Sequence, residues 1–564
     1  MSKRFAIAVF IFTALFFFFF FLWPIAATIR GAFFDNQGKL TLEYLFEVFR
    51  NPNYLEGLWN AFALAVFSTL LCFCIAMPLA FVADRFNFPG KGALQALVLV
   101  PMILPPFVGA IGVKQILGQE GSLNALLRSL GLLGPDVTID WLGEGRFWGV
   151  VVLNALHLYP ILYLNVAAAL ANIDPAMEEA AENLGCTGIR KFCRVTLPLI
   201  MPGLFAGGTI IFIWAFTELG VPLMFDYTRV TSVQIFEGIK DIGNNPFPYA
   251  LVAVMLTATI VLYAASKLLF GRNTFAMMPK ATVGAGPRTP GLATGLACTA
   301  FFTLITFVAV LPHIGVVLVA CSDDWYNTVF PASFTLQHFE AALGHNLTLP
   351  AIQNSLKYAG ISTLIDIVLG VAIAYVVVRT DLPGRQILDA LAMLPLAVPG
   401  LVLAFGYLAM TKEGQPFAFL NPTQNPLALL VIAYAVRRLP YVVRSAAAGY
   451  QQTSVTLEEA AQNLGCAPLR ALRKITLPLI AANLIAGGLL AFSFAMLEVS
   501  DSLLLAQKQE FYPITKAIYE LFQLLGEGRF VASALGVWAM AFLGVSIIGA
   551  SLILGKKLGA LFRV

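Results

Sequence analysis

The chain has 564 residues, of which 59% are hydrophobic and only 12% charged, with a formal net charge of +4. At a mean hydropathy of +0.82 it has none of the make-up of a soluble globular domain, and its small, dispersed basic excess excludes nucleic acid as a partner. Seven cysteines and four histidines are scattered without ligand-like spacing; Cys186 and Cys466, each following a glycine, read as small packing residues, and no metal site is expected.

The apolar residues come in runs of about 20, the length that crosses a bilayer. Lys3 and Arg4 precede the first run, from Phe5 to about Ile29, which includes six consecutive phenylalanines, Phe16 to Phe21. A signal-peptide core is about 7–15 residues, so this stretch reads as a first transmembrane helix. Eleven further runs follow, near 57–83, 94–116, 147–172, 198–220, 247–270, 292–320, 353–379, 387–411, 426–449, 478–500 and 532–555. The expected fold is an all-α membrane protein of about 12 transmembrane helices.

Lysine and arginine mark the orientation. With the N-terminus inside, the inside segments carry Lys3 and Arg4, Arg85 and Lys91, Arg190, Lys191 and Arg194, then Lys267, Arg272, Lys280 and Arg288. Arg379 and Arg385, Arg470, Arg473 and Lys474, and finally Lys556, Lys557 and Arg563 continue the pattern. Both chain termini are therefore expected in the cytoplasm.

The two halves repeat. Asn60, Ser68, Thr69, Pro89, Gly90, Pro101 and Pro105 match Asn354, Ser362, Thr363, Pro383, Gly384, Pro395 and Pro399 at one constant offset. The block from Glu178 to Pro202 nearly recurs from Glu458 to Ala482, and at that second offset Gly207, Gly208 and Glu218 match Gly487, Gly488 and Glu498. Six spans return the chain to its starting side, so the halves form a parallel repeat. The division expected from sequence is a first unit over 1–270, a cytoplasmic linker over 271–291 rich in Gly, Pro, Thr and basic residues, and a second unit over 292–564.

Each recurring block begins as a helix. Asp174-Pro175 supplies an N-cap with proline at the first helical position, and Thr456 is expected to serve the second copy in the same role. Acidic residues follow near the positive end of the helix dipole, and Gly185 or Gly465 should stop the helix. A basic amphipathic segment and Leu-Pro then lead into the next span. An ordinary amphipathic loop would read this way in one copy; two copies with matching spacing on the cytoplasmic side do not. The motif is Glu-Ala-Ala, three residues, Gly, nine residues, Ile, one residue, Leu-Pro. It reads Glu179-Ala180-Ala181, Gly185, Val195, Leu197-Pro198, and again Glu459-Ala460-Ala461, Gly465, Ile475, Leu477-Pro478. This spacing resembles the signature loop of binding-protein-dependent type I ABC importer permeases, with Val195 the one departure. Fused pairs of this size are similar to the ferric-iron permease group, with thiamine and phosphonate permeases as relatives.

The resemblance implies that 174–197 and 454–477 each dock on one of two ABC ATPase subunits, and that an extracytoplasmic solute-binding protein delivers cargo to the opposite face. It implies a multi-pass protein of the bacterial inner membrane, in contact with lipid. The chain lacks Gly-x4-Gly-Lys-Ser/Thr, so it is expected to be a transport subunit and no enzyme, with ATP and magnesium held by the partner. Ferric iron is the expected cargo, with thiamine, phosphonate or another small solute as alternatives; a secondary transporter driven by ion gradients is the competing class.

Charges within spans are costly and so draw attention. Arg437 and Arg438 lie inside the tenth span, Glu218 and Glu498 near the outer ends of the fifth and eleventh, and Asp366 interrupts the eighth. The arginines either line the translocation path or are structural, paired with Asp366 or Glu498 or snorkelling to the surface; their counterparts in the first half are His157 and Leu158. The runs Pro101-Met-Ile-Leu-Pro105-Pro106 and Pro395-Leu-Ala-Val-Pro399-Gly400 should break the third and ninth spans at equivalent depths, as a gate or as a packed kink. Thr41 to Leu45 and Thr335 to Phe339 read as short helices at the outer surface.

Overall fold

A computed structural model describes residues 3–34, 38–143, 146–239, 247–270 and 287–554, so residues 271–286 of the expected linker lie outside the described residues. Among these residues the only β-pairing is three isolated bridges, and the chain is otherwise helix and loop. Among the described residues nine helices are long and apolar enough to cross a membrane, and eleven if each of two bent helix pairs is counted as one broken span. The expected tenth span is present as the helix Leu427–Gln452, but Arg437, Arg438 and Arg444 keep it below that apolarity.

The breaks follow from backbone chemistry. Proline has no N–H to give the carbonyl four residues earlier, so each Pro-x3-Pro pair orphans the first proline's carbonyl. Lys91–Met102 and Pro106–Ser129 meet at a 95° bend, and Arg385–Leu396 and Gly400–Met410 at 100°. The first span, Phe5–Phe33, meets the same problem more gently. Pro24 cannot serve the carbonyl of Phe20, the turn Phe18–Leu22 widens to π geometry, and the Tyr407 hydroxyl donates to that carbonyl at 2.8 Å.

Repeat-related glycines allow close helix approach in both halves. A Cβ on Gly207 would stand 3.2 Å from the Leu162 backbone, and one on Gly487 would stand 2.6 Å from the Ser445 Cβ. The fifth span thus lies tight against the fourth, and the eleventh against the tenth, as small residues allow where van der Waals packing must hold helices together in lipid. Asn60 and Asn354, also repeat-related, each donate to a loop carbonyl beyond the next-but-two span, Arg229 at 2.7 Å and Glu510 at 2.8 Å. The expected outer helices are Glu43–Arg50 and Gln337–Gly344, each preceded by a threonine hydroxyl, Thr41 or Thr335, that accepts a backbone N–H at 3.1 Å.

The compact units do not follow the repeat division read from sequence. One unit comprises Met1–Leu55, Gln234–Leu256 and Phe339–Leu561; the other comprises Glu56–Val233 and Thr257–His338. The first span of each repeat is therefore packed within the unit built mainly from the other repeat. Hydropathy locates spans but says nothing of their neighbours. In the first unit, Gly406 of the ninth span meets the first span so closely that a Cβ would stand 2.7 Å from the Pro24 carbonyl oxygen.

Candidate functional site

The recurring blocks fold alike. Asp174 caps the helix Pro175–Asn183, its carboxylate accepting the Ala176 N–H at 3.1 Å. In the second copy the helix is Thr456–Asn463 and the expectation for Thr456 is corrected: it is the first helical residue, and Ser454, the repeat counterpart of Asp174, accepts the Thr456 N–H at 3.3 Å. Gly185 (φ +78°) and Gly465 (φ +84°) take the left-handed conformation that ends each helix. The paired bonds Gly185 to Glu182 and Cys186 to Ala181, repeated from Gly465 to Gln462 and Cys466 to Ala461, close both ends as Schellman motifs. A short second helix, Gly188–Lys191 or Pro468–Ala471, and a π-type turn ending at Thr196 or Thr476 lead into Leu197-Pro198 and Leu477-Pro478.

Each first helix has two chemically distinct faces. Glu179, Ala180, Glu459 and Ala460 are exposed, Ala181 and Ala461 half-buried. The apolar residues beyond them are open to an unusual degree: Leu184 is 87% exposed, Leu464 90%, Ile189 83% and Leu469 65%. These are the same positions in both repeats, and burial of such side chains is worth about 1.5–3 kcal/mol each. On the opposite face, the glutamate before each signature glutamate is buried. Glu178 accepts from the Arg85 guanidinium and, at 2.7 Å, from the Thr196 hydroxyl. Glu458 accepts from Thr476 at 2.9 Å and lies 3.6 Å from Arg379. Burial pushes the Glu178 carboxyl up, but the hydrogen bonds from Arg85 and Thr196 prevail and hold it below the usual carboxylate range. The sequence places all four glutamates near the positive helix ends and the motif names only Glu179 and Glu459; the Glu-Glu doublet in both copies, with Arg85 and Arg379 at matching span ends, is the signal for the buried pair. Beside the first block lies a cavity of about 1140 Å³, walled by Phe73, Met77 and Phe81 of the second span and by Phe192, with Arg85 and Glu178 at its edge.

The charges within the spans gather in one place. Arg437 and Arg438 both donate to Glu498, and Arg437 also reaches Asp501 at 3.4 Å. Glu498 and Asp501 are buried, as is Asp366, whose carboxylate oxygens have no hydrogen-bond partner among the described residues. Of the two partners expected for the arginines, Glu498 takes both. Its counterpart Glu218 instead accepts the N–H groups of Gly220 and Val221 at 3.0 and 3.2 Å, capping a turn. The same cluster braces the broken ninth span, for the Arg437 guanidinium packs on Gly400 so tightly that a Cβ there would stand 2.1 Å away. At the equivalent point of the first half, the His157 Nδ1–H donates at 2.8 Å to the Pro101 carbonyl, the acceptor that Pro105 leaves orphaned. His157 entered the sequence reading only as a counterpart of Arg437; the four-residue spacing of the prolines was the clue to its task. Among the described residues no group of three or more His, Cys, Asp or Glu side chains could hold a metal ion.

A helical membrane protein that carries the same signature loop in both repeats has the make-up of a transport permease, and comparison places it more narrowly. The family of binding-protein-dependent transport system inner membrane components matches residues 74–276 and again 366–558, and the chain belongs to that family. It is 26% identical over 525 residues to the ferric transport system permease protein FbpB of Actinobacillus pleuropneumoniae, an alignment covering 88% of this chain and 71% of the relative. A putative ferric transport system permease, FbpB 1 of Haemophilus influenzae, is 26% identical over 88% of this chain and 78% of its own length. The sulfate transport system permease CysT of Escherichia coli is 28% identical over 46% of this chain and 88% of its own. Among solved structures, a bacterial ABC transporter involved in import of the acidic polysaccharide alginate aligns at 20% identity and TM-score 0.40, covering 47% of this chain and 95% of its own. The chain is thus a fused, two-unit permease subunit of an ABC importer and a multi-pass inner-membrane protein.

Proposed function

We propose that this permease carries ferric iron from an extracytoplasmic binding protein into the cytoplasm, driven by two ATPase subunits that dock on 174–197 and 454–477. The observation that carries the docking is the pair of matching exposed surfaces, Leu184 with Ile189 and Leu464 with Leu469, presented beside Glu179 and Glu459. Solvent-exposed leucines at the same positions of two repeats are costly unless a partner covers them, and short exposed helices with flanking alanines admit close approach. ATP and magnesium belong to that partner, which closes on ATP and turns the permease outward; hydrolysis resets it. Both loops, and both chain termini, then lie in the cytoplasm. The iron assignment rests on the relatives named for ferric transport, whose alignments run through both repeats.

The test has two arms. The chain, purified from its native membrane, should carry an ATPase with it, and Leu184→Glu with Leu464→Glu should remove that ATPase while leaving the permease monodisperse. Cells expressing the complete transporter should accumulate radiolabelled ferric iron, and do so in the presence of an ionophore. If uptake collapses with the ion gradient while ATP is held constant, a secondary transporter replaces this reading; if sulfate or thiamine competes with iron at equal concentration, the cargo assignment falls.

A further inference from the structure

The signature helices are nine and eight residues long, well under the roughly 12–15 at which an isolated helix holds together in water. Their position must be set by anchors, and both repeats use the same three residues. In the first, Arg85 is the last residue of the 34-residue helix Pro52–Arg85, Glu178 lies in the signature helix, and Thr196 closes the turn before the fifth span. In the second, Arg379 is the last residue of the 32-residue helix Thr348–Arg379, and Glu458 and Thr476 take the other two places. The chain between arginine and glutamate is shorter in the second repeat, yet the contact is kept. An aromatic ring backs each guanidinium, Phe81 at 5.2 Å and Tyr450 at 5.5 Å, and Arg379 is further held by the Thr453 carbonyl at 2.7 Å.

The Arg85–Glu178 contact is a charge-assisted hydrogen bond, directional and short; Arg379 and Glu458 form an ion pair at 3.6 Å, and the Thr476 hydroxyl completes that anchor at 2.9 Å. A glutamate that joins a signature helix to the ends of two spans makes those three elements move as one. The exposed face of the helix is free for a partner, because the buried glutamate uses the opposite face.

The geometry points to Glu178 and Glu458 as positioning residues that deliver the movement of each signature helix to the second and eighth spans through Arg85 with Thr196 and Arg379 with Thr476. This rests on the reading that the loops dock on ATPase subunits. By it, the fifth and eleventh spans receive the movement through the chain itself, while the second and eighth receive it through the ion pair, the directional link beside apolar contacts such as Phe81 on Phe192 and Tyr375 near Ile480.

The experiment compares the complete transporter with Glu178→Gln/Glu458→Gln. The variant should retain the co-purifying ATPase and its hydrolysis, while the ATP hydrolysed per ferric ion taken up rises at least tenfold. A loss of folding alone would lower both quantities together and leave their ratio unchanged. Exchanging the partners, Arg85→Glu with Glu178→Arg and Arg379→Glu with Glu458→Arg, should bring the ratio back toward that of the unaltered protein. If the Gln variant does not accumulate in the membrane, Arg85→Lys with Arg379→Lys, which keeps charge but loses the guanidinium fork, is read in the same way. An unchanged ratio, or an accumulated exchange variant with no recovery, overturns the clamp and leaves the docking reading intact. Absence of any ATPase from the unaltered protein overturns the docking reading instead.

Discussion

Replacing Glu498 by glutamine should destabilise the protein far more than the same change at its repeat counterpart Glu218. Glu498 is 4% exposed and receives both Arg437 and Arg438. Glutamine keeps the shape and one acceptor but removes the negative charge from between two guanidiniums. Arg437 retains Asp501 at 3.4 Å; Arg438 loses its carboxylate partner and keeps the face of the Phe494 ring at 5.5 Å. Removing one partner of a buried ion pair costs about 3–5 kcal/mol, and the surviving Asp501 contact places this case near ~3 kcal/mol. Glu218, in a repeat whose counterparts of the two arginines are His157 and Leu158, serves as a turn cap, a task the glutamine carbonyl can share at a cost of roughly 1 kcal/mol or less. At about 2 °C per kcal/mol for large units, Glu498→Gln should lower the melting temperature in detergent by roughly 6 °C and Glu218→Gln by at most about 2 °C. The measurement is thermal denaturation of the purified protein followed by size-exclusion fluorescence. Equal shifts for the two variants would refute the assignment of Glu498 as the charge that holds this cluster.

Gly400→Ala should force the Arg437 guanidinium away from the break in the ninth span, since the new Cβ would lie 2.1 Å from it; the expected cost is about 1–3 kcal/mol, read by the same denaturation assay, and a neutral effect would contradict the packing. Ser454→Ala should loosen the second signature helix by about 0.5–2 kcal/mol, seen as faster amide exchange over 456–463 with the first helix unaffected. The pH response of the first signature loop has a definite sign. The Glu178 carboxyl is held below its ordinary value of 4.5, so its contribution is complete above that pH and is lost as pH falls through the depressed value. Amide protection over 175–196 should stay level from pH 7 down to about 5 and decline only below 4.5; a decline between 7 and 5 would contradict it.

The spans and their breaks were legible because both depend on local chemistry. An apolar run of sufficient length has one outcome in a bilayer, and Pro101 with Pro105, like Pro395 with Pro399, removes a backbone donor wherever the helix lies. The signature loops were legible because glycine and the cap residues act within a few positions. Thr456 was assigned the cap wrongly for a related reason: Ser454 and Thr456 both have hydroxyls, and only the backbone conformation decides between them. Partner choice was the part that remained hidden. Two adjacent arginines could have met Asp366 or Glu498, and the crossing of the tenth and eleventh spans decides for Glu498. Which glutamate of the doublet at Glu178 and Glu179 turns inward depends on the rotation of a helix of nine residues, a phase that no periodicity this short defines.

The exchange of first spans has a consequence for how the chain is made. Synthesis proceeds from the N-terminus, and units complete as their last parts emerge. The unit holding residues 56–233 and 257–338 has nearly all its parts once His338 has been made, whereas the unit that takes Met1–Leu55 also needs everything from Phe339 to Leu561. The helix that enters the membrane first must therefore wait, with Pro24 lacking Gly406 and the Phe20 carbonyl lacking Tyr407, until the ninth span has been inserted. Severing the gene within 271–286 would not give two independent products: a fragment ending there lacks the span Leu292–Ala320 that its main unit needs, and the remainder lacks the first. Only co-translation of both pieces, each lending a helix to the other, could rebuild the permease.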